Sequence, residues 1–178
     1  MDRARRRGAV WLFSVAALVY LTDRLTKTWA EQRLPGDPIE IITGVVTLRF
    51  ATNPGGAFSL GQSAPWFFAV VTALVVVLIV VTAFRHTSVP TSLSLGLVLG
   101  GALGNLTDRL TRGEGFDGHV VDFIDLQVWP IFNLADTAIV VGAIVLATGS
   151  FLGDRRQRAG PEEDGRPGHV DGLAADER

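Results

Sequence analysis

The sequence predicts an all-α polytopic membrane protein with four transmembrane helices and a small extracytoplasmic β-sheet. Of its 178 residues, 48% are hydrophobic and only 19% are charged, which favours a membrane domain over a soluble globule. The apolar residues are concentrated in four stretches, each long enough to cross a bilayer core. Between the first two lies a segment with prolines, glycines and alternating apolar residues, which is typical of strands.

The predicted spans are residues 9–29, 64–84, 93–110 and 131–152. The first follows a basic cluster, as a signal peptide would, but the TDRLTK sequence within it lacks the small residues of a cleavage site. We therefore interpret it as a retained helix, with a cleaved signal peptide as the alternative. Residues 1–153 form the predicted membrane domain. Residues 154–178, increasingly rich in glycine and acidic residues, are predicted to be a disordered cytoplasmic tail.

Residues 35–61 are predicted to form the small β-region. Val46, Leu48 and Phe50 alternate with polar residues, the period of a half-exposed strand, and Gly44 suits a turn before it. The segment NPGGAFS that follows predicts an exposed turn, where glycines would let a substrate chain approach the backbone closely. A plain hairpin tip is the alternative. Residues 119–129 are predicted to be a short strand or an interfacial element.

The distribution of arginine predicts the orientation. Arginines crowd residues 3–7 before the first span and residues 155–158 after the last. With four spans both ends lie on one side, and the positive-inside rule places them in the cytoplasm. The polar segments after the first and third spans, with the candidate carboxylates, then face outward, whereas the loop after the second span lies in the cytoplasm.

Composition excludes several classes of function. The chain has no cysteine, which removes disulfides, thiol catalysis and cysteine metal ligands. Its three histidines, His86, His119 and His169, lie in different segments, so no zinc site is expected. No sustained basic face with aromatic residues is present, so nucleic-acid binding is not expected. We predict neither a metal nor a cofactor.

Three carboxylates stand in an otherwise apolar stretch: Asp122, Asp125 and Asp136. Carboxylates at the edge of a bilayer are costly unless they are paired or used, so they predict function. Two of them brought together would share one proton, which is the chemistry of an aspartic protease. The alternative makes Asp136 a helix-start residue and the others loop carboxylates. The residue pattern alone does not rank Asp122 above Asp125.

Other polar residues accompany these carboxylates near the span ends. Asp23 and Lys27 are four residues apart on one helix face and are predicted to pair, either as an interfacial salt bridge or in a catalytic role. Asn105 and Asp108 share a face of the third span. Two interpretations remain open: these residues pair at the membrane edge, or they orient a catalytic centre. Asn133 shares the first turn of the last span with Asp136.

Glycine spacing predicts close packing of the third span. Gly96, Gly100 and Gly104 recur every four residues, with Gly101 beside them. This small-residue spacing lets two membrane helices approach backbone to backbone.

Taken together, the polar motifs resemble those of the bacterial lipoprotein signal peptidases, the signal peptidase II family. The resemblance covers residues 9 to about 152 and is carried, in order, by DRLTK at 23–27, NPGGAF at 53–58, GNLTDR at 104–109, VVDFI at 120–124 and FNLAD at 132–136. It implies an aspartic endopeptidase that removes the signal peptide of diacylglyceryl-modified prolipoproteins and cuts just before the lipidated cysteine. Membrane lipid and globomycin-type inhibitors are the other implied partners.

The resemblance also implies roles for individual residues. It makes Asp122 and Asp136 the catalytic pair and thereby selects Asp122 over Asp125. The implied active-site support and substrate-binding residues are Asp23, Lys27, Asn53, Gly55, Asn105, Asp108, Arg109, Asn133 and Ala135.

Two other classes of function fit parts of the pattern. A transporter would explain polar residues on several spans, but these residues gather near one membrane face and no internal repeat is present. A non-catalytic assembly protein would tolerate Asp122→Asn and Asp136→Asn.

Overall fold

The computed structural model describes residues 3–55, 65–85, 88–113 and 118–158, the last seven by backbone only. Along the chain these residues form α1 (Arg3–Arg33), β1 (Ile39–Ile42), β2 (Val46–Asn53), α2 (Pro65–Thr82) with a 3₁₀ turn (Ala83–Arg85), α3 (Val89–Thr111), β3 (Val120–Asp125) and α4 (Leu134–Arg158).

The predicted fold class is confirmed. Within the described ranges, four helices are long and apolar enough to cross a membrane: Arg3–Arg33, Trp66–Arg85, Val89–Thr111 and Leu134–Phe151. Between 38% and 71% of the surface of Phe13, Leu25 and Leu74 is exposed, as expected for helices that face lipid. The strands form one small antiparallel sheet.

The helix bounds differ from the prediction in ways that local chemistry explains. α1 is longer than residues 9–29, because the flanking arginine, alanine and glutamate residues are good helix formers. α3 begins at Val89, before the predicted residue 93, since Pro90 lies in its first turn, where proline is tolerated. α4 begins at Leu134, after the predicted residue 131, because Phe132 instead forms a β-bridge to Ile124.

The last helix extends beyond residue 153, where the membrane domain was predicted to end. α4 continues to Arg158, and its last residues, DRRQR, include strong helix formers. Residues 159–178 of the predicted tail lie outside the described residues, as do residues 56–61 of the predicted β-region.

α3 packs closely against α1 and α4 through its glycines, as their spacing predicts. A Cβ atom on Gly96 would come within 2.6 Å of the Leu12 carbonyl oxygen of α1, and one on Gly100 within 2.6 Å of the Ala16 carbonyl oxygen. On the opposite face, a Cβ atom on Gly101 would lie 2.5 Å from the Ala135 carbonyl oxygen of α4. These contacts are with backbone, which cannot move aside as a flexible side chain can.

We expect Gly100→Ala to destabilise the protein by about 1–3 kcal/mol, the usual cost of forcing extra volume into a tightly packed contact. The measurement is the thermal unfolding midpoint in detergent. Gly149→Ala is the matched control, because a Cβ atom there meets nothing within 4 Å and alanine is the better helix former. An unfolding midpoint for Gly100→Ala at or above that of Gly149→Ala would contradict the close contact.

The small sheet has the strand order β1-β2-β3, and both pairs are antiparallel. The alternation read from the sequence lies on β2, and the predicted turn at Gly44 has a positive φ of 71°. Phe123 of β3 packs with Leu34 and Ala30 at the end of α1. This contact fixes the sheet against the helix ends where the polar residues gather.

Candidate active site

Asp122 and Asp136 line the same cavity, which has a volume of about 500 Å³. Asp122 lies on β3, opposite Ala51 of β2, and only 3% of its surface is exposed. Asp136 lies in the first turn of α4. The strand and the helix are separated by a short loop, so the fold brings together two carboxylates that are 14 positions apart.

Asn133 connects the two carboxylates. Its side-chain amide donates a hydrogen bond to Asp122 Oδ1 at 2.7 Å, and its backbone N–H donates to Asp136 Oδ2 at 3.3 Å. Its Oδ1 accepts the backbone N–H of Asp136 at 2.9 Å, the geometry of a helix N-cap. Asn133 is fully buried. One residue therefore begins α4 and orients both carboxylates.

Asn105 of α3 holds the second carboxylate from another side. Its amide nitrogen donates to Asp136 Oδ1 at 2.8 Å, and its oxygen accepts a hydrogen bond from Lys27 Nζ at 2.8 Å. The amide of Asn133 also approaches that oxygen, at 3.3 Å. With its oxygen occupied by these donors, Asn105 presents its N–H₂ group to Asp136.

The surroundings of Asp122 favour its protonated form. Burial is the main cause and the nearby charge of Asp136 the second, and together they raise the pKa of Asp122 to about 7. Hydrogen bonds from Asn133 and Asn53 to the carboxylate, and the charge of Lys27, act in the opposite direction. A carboxyl group with this pKa can both hold and release a proton near neutrality.

A buried charge cluster adjoins the cavity through Asn105. It comprises Asp23 and Lys27 of α1 and Asp108 of α3. All three side chains are fully buried. Lys27 Nζ lies 2.9 Å from Asp23 Oδ2 and 2.9 Å from Asp108 Oδ2, which confirms the predicted Asp23–Lys27 pair. Arg24 and Arg112 also form ion pairs with Asp108.

Arg109 of α3 also lines the cavity. Its guanidinium group donates hydrogen bonds to the backbone carbonyls of Pro54, Gly55 and Gly118. The guanidinium carbon also lies 5.7 Å from the centre of the Phe68 ring, a cation–π contact. Arg109 thus fixes the backbone that follows β2.

Asn53 and Gly55 line the cavity beside Asp122. The Asn53 Oδ1 atom accepts the backbone N–H of Gly55 at 3.0 Å, which closes a short turn after β2. That bond leaves the Asn53 amide nitrogen as the donor to Asp122. The predicted exposed turn thus begins within the candidate site.

Asp125 is directed away from this cluster. It lies three residues beyond Asp122 on an extended strand, and an odd separation places two side chains on opposite faces. The Asp125 carboxylate forms an ion pair with Arg49 at 2.7 Å and accepts the backbone N–H of Gln127 at 2.8 Å. The structure thus separates two aspartates that the residue pattern could not rank.

Several residues of the site were not singled out from the sequence. Arg24 and Arg112 join the buried charge cluster, and Phe68 and Thr72 of α2 line the cavity. Arg112 follows Asp108 by four residues, a spacing that indicates pairing. The residues of α2 carry no such signal, because their run has no charged residue and is otherwise almost entirely apolar. In the part of the chain that is described, no group of three or more histidine, aspartate or glutamate residues is arranged to hold a metal ion.

The fold and this cavity define a polytopic membrane protein with a paired-carboxylate site at one end of its helices. The family model for signal peptidase (SPase) II matches residues 15–152. The chain belongs to this family, the lipoprotein signal peptidases, and the resemblance read from its motifs is confirmed. Members of the family are peptidases that remove signal peptides from prolipoproteins in the membrane.

Curated relatives agree with this assignment. The chain is 45% identical over 144 residues to the lipoprotein signal peptidase of Rhodococcus jostii, which covers 80% of this chain and 73% of that protein. It is also 45% identical over 153 residues to the lipoprotein signal peptidase of Streptomyces coelicolor, covering 85% and 74% of the two chains. The Mycobacterium tuberculosis protein of the same name is 44% identical over 144 residues, covering 80% and 71%.

Two solved structures share the fold, and both are described as bacterial membrane enzymes. One has a TM-score of 0.73 at 24% identity and covers 88% of this chain and 94% of its own. The other has a TM-score of 0.67 at 28% identity, with 78% and 90% covered.

Proposed function

We propose that this chain is an aspartic endopeptidase that cleaves diacylglyceryl-modified prolipoproteins just before the lipidated cysteine, with Asp122 and Asp136 activating water. The observation that carries this proposal is the joint hydrogen bonding of both carboxylates by Asn133 in one cavity. Two buried carboxylates so placed retain one proton between them, since both cannot ionise at low cost.

The mechanism follows from that shared proton. The ionised carboxylate draws a proton from a water molecule between the pair, while the protonated partner donates to the carbonyl oxygen of the scissile bond. The attacking oxygen forms a tetrahedral intermediate, and a proton then passes to the amide nitrogen as it leaves. The titration belongs to the pair, so neither aspartate is assigned as the permanent acid.

The residues that line the cavity are suited to a lipidated peptide substrate. Phe68, Ile139 and Val140 bring apolar surface to the cavity from α2 and α4, while Asn53 and Gly55 bring polar backbone and amide groups from the sheet side. In this arrangement the diacylglyceryl chains remain in lipid and the peptide lies beside the carboxylates. Globomycin-type cyclic peptides are proposed to occupy the same cavity.

The site is proposed to face the outer leaflet, with both termini in the cytoplasm. Asp23 and Lys27 lie in the last third of α1, and Asp136 lies in the first turn of α4, so the site is at the end of the bundle opposite Arg3 and Arg5. The natural chain has no cysteine, so single cysteines can report topology. A cysteine at Gln127 is expected to react with an impermeant maleimide added outside intact cells, and one at Arg5 is not.

The test of the activity uses purified protein in lipid and two precursors that differ only in the diacylglyceryl group. We expect release of the signal peptide from the lipidated precursor alone, with the new N-terminus at the modified cysteine by mass spectrometry. Cleavage of both precursors at equal rates, or cleavage at another bond, would contradict the proposed specificity.

We expect kcat/KM to fall as pH rises through about 7, because the pair then loses the shared proton that the acid step needs. The direction of this change in kcat/KM follows from the raised pKa of Asp122. Below about pH 7 the pair retains its proton, and above it both carboxylates ionise. Asp136, Asn133, Asn53 and Lys27 all act on this carboxyl group.

The measurement is initial rate against pH at low substrate concentration. Asp125→Asn serves as the control and is expected to keep the wild-type profile, since Asp125 pairs with Arg49 on the other strand face. A constant rate from about pH 6 to about pH 9 would contradict an acid step at this pair.

A further inference from the structure

The two carboxylates of the buried charge cluster make equivalent backbone contacts. Asp23 Oδ1 accepts the N–H of Ala135 at 3.1 Å, and Asp108 Oδ2 accepts the N–H of Val121 at 3.3 Å. Ala135 directly precedes Asp136, and Val121 directly precedes Asp122. Each carboxylate therefore accepts the backbone N–H of the residue immediately before one aspartate of the proposed pair.

Lys27 joins these two carboxylates. Its Nζ atom lies 2.9 Å from Asp23 Oδ2 and 2.9 Å from Asp108 Oδ2. The same atom donates to Asn105 Oδ1 at 2.8 Å, and Asn105 donates in turn to Asp136. The Lys27 ammonium group thus lies within ion-pair distance of two carboxylates and donates a hydrogen bond to Asn105.

We propose that Lys27 is a positioning residue that sets the relative placement of the two aspartates, through Asp23 to the start of α4 and through Asp108 to β3. This inference rests on the proposed aspartic mechanism. Lys27 does not line the cavity, so it acts through its partners rather than on the substrate. Its role is distinct from that of Asn133, which contacts both carboxylates directly.

Burial explains why a charged residue performs this task. Lys27 is fully buried, and a buried ion pair is held in a fixed geometry because leaving any member unpaired is costly. The cluster lies on α1 and α3, and its hydrogen bonds connect these helices to β3 and α4. A displacement of about 1 Å between reacting groups can lower a rate by about 100-fold, so this spacing matters to catalysis.

The test compares kcat and KM of the wild type with Lys27→Met, which keeps the length of the side chain but removes its charge and donors. We expect kcat to fall by about 30- to 100-fold while KM stays within about threefold, because substrate contacts are unchanged and only the reacting groups are misplaced. Arg49→Gln is the matched control: it removes a cation from a β3 carboxylate, Asp125, that has no link to Lys27. It is expected to keep the wild-type kcat.

A second variant distinguishes an effect on the placement of the two aspartates from an effect on the stability of the fold. Lys27→Met alone leaves the Asp23 carboxylate buried without its cation, whereas Asp23→Asn with Lys27→Met removes both charges and retains an oxygen that can accept the N–H of Ala135. We expect the double variant to recover much of the unfolding midpoint but not kcat. Recovery of both together would show that Lys27 only stabilises the fold and would overturn the proposal.

Lys27→Arg tests the proposal if the methionine variants do not fold. It keeps the positive charge, but a planar guanidinium cannot direct one nitrogen to three converging acceptors, so kcat is again expected to fall. A wild-type kcat for this variant, or failure of every variant at this position to fold, would overturn the assignment. An active Asp122→Asn protein would instead contradict the proposed function itself, so the two failures are distinguishable.

Discussion

Replacing either Asp122 or Asp136 with asparagine is expected to lower kcat by about 10⁴-fold while the protein still folds. Asparagine has nearly the same shape as aspartate, but it can neither take a proton from water nor return one to the leaving nitrogen, and acid–base steps contribute up to about 10⁴-fold. The loss should be the same for each single variant and for the double variant, because the two carboxylates act as one unit in the proposed mechanism. The measurement is single-turnover cleavage of a lipidated precursor.

Asp125→Asn is the matched control for this prediction. It lies on the same strand as Asp122 and is equally buried, but its partners are Arg49 and Gln127 on the other face. It is expected to cleave at close to the wild-type rate. If Asp122→Asn and Asp125→Asn had the same activity, the pair assignment would be wrong and both carboxylates would be structural.

Asn133→Ser is expected to lower kcat by about 100-fold with a change of less than about 1 kcal/mol in the free energy of unfolding. Serine is as good an N-cap as asparagine, so its hydroxyl can still begin α4. Its side chain is too short to replace the amide that donates to Asp122 at 2.7 Å. Loss of a single preorganised donor at a reacting group costs about 100- to 1000-fold in other enzymes.

The control for this prediction is Asn133→Ala, which removes both the cap and the donor. It should lose activity to a similar extent and, in addition, about 1 kcal/mol of stability. A fully active Asn133→Ser protein would show that the contact with Asp122 does not contribute to catalysis, whereas an unstable one would show that capping requires the amide itself.

Much of the fold could be predicted because its signals are local. An apolar run such as the one in α2 identifies a span by itself, and the spacing of Gly96 and Gly100 predicts a close helix contact that the Leu12 and Ala16 carbonyls confirm. Helix ends were less predictable. α3 begins before the predicted residue 93 and includes Pro90 in its first turn, since proline costs little where no intrahelical N–H bond is made.

Most of the polar residues of the candidate site could be predicted, but the contacts between them could not. The Asp23–Lys27 pair follows from spacing on one helix. The link from Asp108 to the N–H of Val121 depends on how β3 lies against α3, which no local pattern determines. Asp122 and Asp125 could not be ranked from their residue types, because the choice requires knowing that the segment is a strand with alternating faces.

The pairing of charges within single helices has a consequence for how the chain enters the bilayer. Asp23 and Lys27 are four residues apart on α1, and Asp108 of α3 lies four residues before Arg112, the C-cap residue of that helix. Each of these carboxylates therefore has a cationic partner close by in its own segment and can reach the edge of the bilayer already paired. α4 follows these helices in the chain and brings Asp136 and the N–H of Ala135, so Asn105 and Asp23 gain these partners only when α4 is in place.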